Sequence, residues 1–239
     1  IDPNDFYNVA RFYHDACAAA AAVRARGKTP LFVGGSMMYF NALLAGLTKL
    51  PPVAEDITQA VRAQAAANGL AALYEELRQA APDSAAVLSP NDTQRITRAV
   101  SLLRSGWQLG SEQDAHPPLR LKLVLLLPAQ RTTLRERIRT RLDDMWEGGL
   151  LEETWKLQKQ WQLPLEAPPL KMAGYRQAAQ YLLDEIDDNT MRRNAYYATS
   201  QLAKRQLSWM QKWRTHGTVL DPFSESKLEA QALAALSAN

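Results

Sequence analysis

The run Leu121-Lys-Leu-Val-Leu-Leu-Leu127, closed by Pro128, sets the first limit on how this sequence can fold. A near-continuous apolar stretch of this length, ended by a residue with no N–H, reads as a strand buried on both faces. Such a strand needs hydrogen-bonded neighbours and a covering layer on each side. One other segment has the same character, Leu31-Phe32-Val33, set between Thr29-Pro30 and Gly34-Gly35. The rest carries helical periodicity in roughly nine segments. Two strands cannot build a sheet that covers itself. The chain therefore reads either as mostly helical with a small sheet, or as one whose further strands lie upstream of Ile1. The start at Ile1-Asp2-Pro3, without Met, favours the second.

Residues 8–27 predict a helix stopped by Gly27, and Ser36 predicts the start of another that carries Tyr39, Phe40, Leu43, Leu44 and Leu47 on one face. Gly46 and Pro51-Pro52 end it. Residues 53–105 read as helical, broken at Gly69, Pro82 and Pro90. Their last helix opens at Asn91-Asp92 and lines up Ile96, Ala99, Val100 and Leu103. A polar loop spans 106–118. After Pro128 come a helix with Leu134, Ile138, Leu142 and Met145 inward, the break Gly148-Gly149, and a helix over 151–162. A Pro-rich loop at 164–169 leads to helices over 170–186 and 190–214. Residues 215–239 predict a linker and a last short helix.

Composition narrows the function. With 46% hydrophobic and 22% charged residues among 239, the chain is neither disordered nor fibrous. A single cysteine, Cys17, excludes a disulfide framework and a Cys-rich zinc module. No apolar run approaches the ~18 residues of a membrane span. His14, His116 and His216 have no ligand spacing, so no metal residue is assigned. The net charge of +3 is unevenly spread. Residues 51–118 hold five Lys+Arg against eight Asp+Glu, 119–147 seven against four, and 171–215 eight against four. Basic helices set apart from an acidic segment are the footprint of a phosphate-facing surface, although solvated helix faces share that composition.

Four motifs could carry chemistry. Val33-Gly34-Gly35-Ser36 joins a strand to a helix N-terminus, where free N–H groups suit an anion and Ser36 could offer its hydroxyl. Ser36 could equally serve only as a cap. Gln94, Arg95 and Arg98 stand on the exposed side of one helix, as readers of nucleic-acid edges and phosphates or as a solvated face. Five arginines, Arg131, Arg135, Arg137, Arg139 and Arg141, follow the buried strand, at the end where ligands bind in parallel sheets. Arg135 and Arg139, at i and i+4, fit a merely basic outer face. Last come Lys171-Met-Ala-Gly174-Tyr175-Arg176 and Thr199-Ser-Gln-Leu-Ala-Lys204-Arg205-Gln206-Leu-Ser-Trp209, aromatics among cations that suit RNA. Trp209 and Trp213 could also be core anchors.

In order and spacing, over about residues 1–220, these motifs resemble the bacterial tRNA dimethylallyltransferases, the tRNA isopentenyltransferase family. The matching pieces are Leu31-Phe-Val-Gly-Gly-Ser-Met-Met-Tyr39 with Leu43-Leu-Ala-Gly-Leu47, Asp92-Thr-Gln-Arg-Ile-Thr-Arg-Ala99, Arg131 with Arg137-Ile138, Gly174-Tyr175-Arg176-Gln177, and Ala198 through Trp209. The resemblance implies an α/β fold, a P-loop-NTPase-like parallel sheet core with an inserted helical domain and C-terminal helices. Its parts would be 1–50 and 119–215 for the core, 51–118 for the insertion and 216–239 for the tail. It implies transfer of a dimethylallyl group from dimethylallyl diphosphate to N6 of the adenine beside the tRNA anticodon, with Mg²⁺ as cofactor and diphosphate leaving.

Carried over by position, Ser36 is the catalytic hydroxyl, where the family usually has Thr. Gly34, Gly35, Arg131 and Arg137 take the diphosphate. Gln94, Arg95, Ile96, Thr97, Arg98, Lys171, Gly174, Tyr175, Arg176, Lys204, Arg205, Gln206 and Trp209 take the tRNA. Lys171 stands where the family more often has Arg, which would lose a bidentate contact. The family's Gly-rich phosphate loop and the Asp base after it have no counterpart here, as no G-x-x-x-x-G-K-[ST] occurs. The expectation is a chain lacking its N-terminal strands and inactive alone. The implied setting is a cytoplasmic, ATP-binding and nucleotide-binding monomer, partnered by the anticodon stem-loop and not by membrane. Two rivals are a non-catalytic tRNA-binding fragment and a prenyltransferase acting on free adenine nucleotides.

Overall fold

A computed structural model describes residues 1–239 except Phe6, Lys49, 111–118, 224–226 and 238–239. His116 and the Pro117-Pro118 end of the loop expected over 106–118 lie outside the described residues. The helices and strands are α1 (Val9–Ala25), α2 (Met37–Ala45), α3 (Glu55–Asn68), α4 (Leu70–Ala80), α5 (Pro82–Ala86), α6 (Thr93–Arg104), β1 (Val124–Leu126), α7 (Arg131–Glu147), α8 (Leu150–Trp161), α9 (Tyr175–Leu182), α10 (Asp188–Trp213), β2 (Thr218–Leu220) and α11 (Leu228–Ser237). They form two compact units, Ala45–Pro117, and Ile1–Leu44 together with Pro118–Asn239.

Short-range chemistry sets the helix ends. The Asn8 side chain accepts the N–H of Arg11 at 2.9 Å to open α1, and Gly27, at φ +68°, lets the chain turn out of it. Asp92 accepts from Arg95 at 3.1 Å to open α6, and Asp187 accepts from Thr190 at 2.7 Å to open α10. That last bond, made to the charged form, holds the Asp187 carboxyl below its usual range. In the helical unit, α3, α4, α5 and α6 close around Val61, Leu73, Leu77, Ala85, Ile96 and Val100, all essentially inaccessible.

In the other unit, α7, α8, α9 and α10 pack around Ile138, Leu142, Trp146, Leu150, Ala178, Met191 and Ala195. Beside them runs a two-stranded parallel sheet, β1 against β2, with Val124 opposite Thr218, Leu125 opposite Val219 and Leu126 opposite Leu220. Flanking bonds from Thr218 N–H to the Leu123 carbonyl and from Leu127 N–H to the Leu220 carbonyl, both 2.9 Å, extend the ladder. Gly217 is required by space: a Cβ there would sit 2.6 Å from the Leu123 carbonyl oxygen.

Three sequence expectations are corrected. Leu31–Val33 is not a buried strand; its backbone pairs with neither β1 nor β2, and Leu31 and Val33 are 66% and 85% exposed. An apolar run becomes a strand only where another strand accepts its hydrogen bonds. The run 121–127 contributes only three strand residues, and its Leu126 is 46% exposed, so it is not buried on both faces. Residues 218–220, expected as linker, form β2. The α/β class itself holds, as a largely helical chain with a small parallel sheet.

Candidate functional site

From Lys28 to Ser36 the chain runs without helix or strand, and it enters α2 at Ser36. The Ser36 carbonyl accepts the N–H groups of Tyr39 and Phe40 at 2.9 and 3.2 Å. Its side chain is exposed and unbonded among the described residues, so it does not cap the helix. The Tyr39 ring stacks on Phe12 with centroids 4.1 Å apart, which seats α2 on α1. Half-buried Gln206, far away on α10, donates from Nε2 to the Gly35 carbonyl at 2.9 Å. A Cβ on Gly35 would lie 2.5 Å from that nitrogen.

The helix that holds this turn changes character along its length. Met191 and Ala195 near its start are fully buried, whereas residues 202–213 contain no buried side chain. From 189 to 220 the sequence has six Lys+Arg and no Asp or Glu. Lys204 and Arg205 are exposed and make no ion pair among the described residues. Trp209 and Trp213, half-buried, lie 5.5 Å apart, with the Lys212 ammonium 5.2 Å from the Trp209 ring centre. Unpaired cations beside tilted indoles make a surface for stacked bases and phosphates.

All five arginines of α7 are exposed. Arg131 opens the helix five residues after the last residue of β1. Along the helix Arg131, Arg135 and Arg139 follow one another at i, i+4, and Arg137 and Arg141 share a second face. Arg139 is not a plain outer residue, since its guanidinium lies 4.9 Å from the Tyr196 ring of α10. Both line a groove of about 320 Å³ with Trp146, Arg192, Arg193 and Tyr197. Arg192 there is engaged by Asp188 at 2.9 Å and Asp143 at 4.0 Å. At the carboxyl end of β2, Asp221 accepts from the N–H groups of Ala129 and Phe223 at 3.2 and 3.0 Å. Among the described residues no three His, Cys, Asp or Glu side chains converge to hold a cation.

The other positions expected to meet tRNA differ in kind. Gly174 is buried at φ +94°, and its N–H is held by the buried Gln177 side chain at 2.9 Å, so it shapes the entry to α9. The Tyr175 hydroxyl donates to Glu153, which together with burial pushes its pKa up to about 12. Lys171 and Arg176 both approach Glu166, at 3.3 and 3.9 Å. In the helical unit Gln94, Arg95 and Arg98 are exposed, Arg95 pairing with Asp92 at 3.4 Å and Arg98 donating to the Pro51 carbonyl at 3.2 Å. Thr97 donates back to the Thr93 carbonyl. Ile96 is corrected outright: fully buried within the α3–α6 cluster, it cannot touch RNA. Gln206 gives its Nε2 to the Gly35 carbonyl. Gln177 was missed, although a Gln three residues after a helix-opening Gly is a readable capping signal.

A small parallel sheet, with a glycine turn fastened to a basic, indole-bearing helix, defines a largely helical α/β protein. The model of the family described as IPP transferase matches residues 1–213. The chain is 43% identical over 218 residues to the tRNA dimethylallyltransferase of Thioalkalivibrio sulfidiphilus, covering 89% of this chain and 68% of that one. It is 40% identical over 242 residues to that of Thiobacillus denitrificans, covering 100% of this chain and 77% of that one. The crystal structure of the full-length tRNA isopentenylpyrophosphate transferase from Bacillus halodurans superposes with a TM-score of 0.64 at 26% identity, over 98% of this chain and 75% of that one. The chain belongs to the IPP transferase family.

Proposed function

We propose that this chain acts in the transfer of a dimethylallyl group from dimethylallyl diphosphate to N6 of the adenine beside a tRNA anticodon, with diphosphate leaving. The relatives' shared name supports the transfer and the tRNA. The observation that carries the reading is the junction of the Gly34-Gly35-Ser36 turn with α10, which sets an exposed hydroxyl and free helix N–H groups against an unpaired basic surface. An adenine N6 lone pair is delocalised, so the reaction depends on positioning the base, and the departing diphosphate needs fixed positive charge.

In this reading Ser36 bonds the base or the diphosphate. Gly34 and Gly35 let the backbone approach, and Arg131 and Arg137 take the departing charge. Lys204, Arg205 and Trp209 hold RNA, with Gln94, Arg95, Thr97, Arg98, Lys171, Tyr175 and Arg176 as further contacts. Magnesium enters only as a companion of the diphosphate, whose oxygens supply the ligands these residues lack. The reading places the protein in the cytoplasm as a monomer; among the described residues no helix is long and apolar enough to cross a membrane. The long cation-and-indole surface of α10 favours tRNA over a free nucleotide, which would leave most of it unused.

The test is mass spectrometry of tRNA from cells with and without the gene that encodes this chain. Loss of dimethylallyl-adenosine on deletion, restored by the gene, supports the reading. An unchanged nucleoside profile refutes it.

A further inference from the structure

We infer that Gln206 is a positioning residue: its side-chain amide latches the Gly34-Gly35-Ser36 turn to α10, so that the RNA-facing helix and the Ser36 hydroxyl are held in one frame. The inference rests on the proposed function only for what the frame is used for; the latch itself rests on geometry. Gln206 lies between Arg205 and Leu207 in the motif that the resemblance assigns to tRNA. Its neighbours Lys204 and Arg205 are exposed, whereas Gln206 is half-buried and spends its Nε2 on the Gly35 carbonyl at 2.9 Å. The contact spans 171 residues of sequence.

Two further facts make this more than an incidental bond. Gly35 has no left-handed φ, so its lack of a side chain is not explained by backbone conformation. A Cβ there would lie 2.5 Å from the Gln206 amide nitrogen, so a side chain at this position displaces that amide. And the next carbonyl along, that of Ser36, begins α2 by accepting from Tyr39 and Phe40. A fixed Gly35 carbonyl therefore fixes the peptide on which Ser36 and the first turn of α2 are built. The Ser36 side chain has no hydrogen bond of its own among the described residues to orient it. The latch fixes the backbone from which that hydroxyl projects and leaves the hydroxyl itself unengaged.

The test uses Gln206→Met, which keeps the length of the side chain and removes its donor, and Gly35→Ala, whose methyl displaces the same amide. Hydrogen exchange at the Tyr39 and Phe40 amides reports opening of the turn. Loss of one neutral hydrogen bond is expected to speed that exchange about two- to tenfold in each variant, and no further in the double variant, because both remove the same contact. Melting temperature should fall by no more than about 2–4 °C. Affinity for an anticodon stem-loop should stay within about twofold in Gln206→Met, since Lys204 and Arg205 are untouched. Unchanged exchange, or effects that add in the double variant, would overturn the latch. So would a severalfold loss of RNA affinity in Gln206→Met with exchange unaltered, which would make Gln206 an RNA contact. A wild-type chain that binds no stem-loop counts against the proposed function, and the exchange arm then decides the latch alone.

Discussion

The most quantitative consequence of the α10 surface is how its affinity for RNA should respond to salt. Four cations on its outer end, Lys204, Arg205, Lys212 and Arg214, have no acidic residue near them in sequence, because none occurs from 189 to 220. Lys171, Arg176 and Arg95 already face carboxylates, so they neutralise phosphates less fully. If each of the four neutralises one phosphate, the slope of log K against log salt from this helix is about −2.8 to −3.6, at roughly −0.7 to −0.9 per contact. Raising salt from about 50 to 200 mM then weakens binding about 50- to 150-fold. Replacing Lys204 and Arg205 together by Ala leaves two contacts, a slope of about −1.4 to −1.8, and a loss of only about 7- to 12-fold over the same range. Cations elsewhere add equally to both proteins, so the difference between slopes, about 1.4 to 1.8, is the quantity to measure. Fluorescence anisotropy of a labelled anticodon stem-loop, titrated at several salt concentrations, gives it directly. A slope that does not move on losing both residues refutes the placement of RNA on this helix.

Three further outcomes are expected. Ser36→Ala should lower dimethylallyl transfer while leaving melting temperature almost unchanged, since the hydroxyl caps nothing, and Ser36→Thr should retain transfer; a variant that melts earlier but turns over normally would reverse the assignment. The Tyr175 phenol, raised to about 12 from an unfolded value of 10, contributes stability that is fully present below pH 10 and is lost as pH rises through 12; Tyr175→Phe should abolish that loss in melting curves taken between pH 9 and 12. Ile96→Ala should destabilise the helical unit by about 2–5 kcal/mol in denaturant titration, whereas its neighbour Arg95→Ala should change stability by less than about 0.5 kcal/mol.

What was legible in the sequence was what is decided locally. The helices of residues 53–105 announce themselves through Gly69, Pro82, Asp92 and an apolar stripe, all within a turn or two of the residues they govern. The stripe even marked Ile96 as core, and only its place inside a family motif put it among RNA contacts. Strands are decided at a distance. Leu31–Val33 and 121–127 carry the same local signal, yet only the second has a partner, and that partner, Thr218–Leu220, is three residues with hardly any signal at all. The site shows the same division. Exposed Lys204 and Arg205 could be read from composition, but the orientation of Gln206 depends on a carbonyl 171 residues earlier and could not.

The ladder between β1 and β2 also dictates an order of events on the ribosome. β1 is synthesised 92 residues before its partner begins, counting from Leu126 to Thr218. At about 5–20 residues per second that is a wait of about 5–18 s, whereas a helix forms within about a microsecond of leaving the tunnel. The helical unit and then α7 to α10 can therefore assemble while Leu121–Leu127 still has no strand to pair with. The cationic end of α10, finished at Arg214, is made only four residues before Thr218, so through most of that wait the nascent chain carries an open apolar edge without its RNA-type surface. That edge is the natural landing place for a chaperone, and its protection from protease should arrive only once residue 220 has emerged.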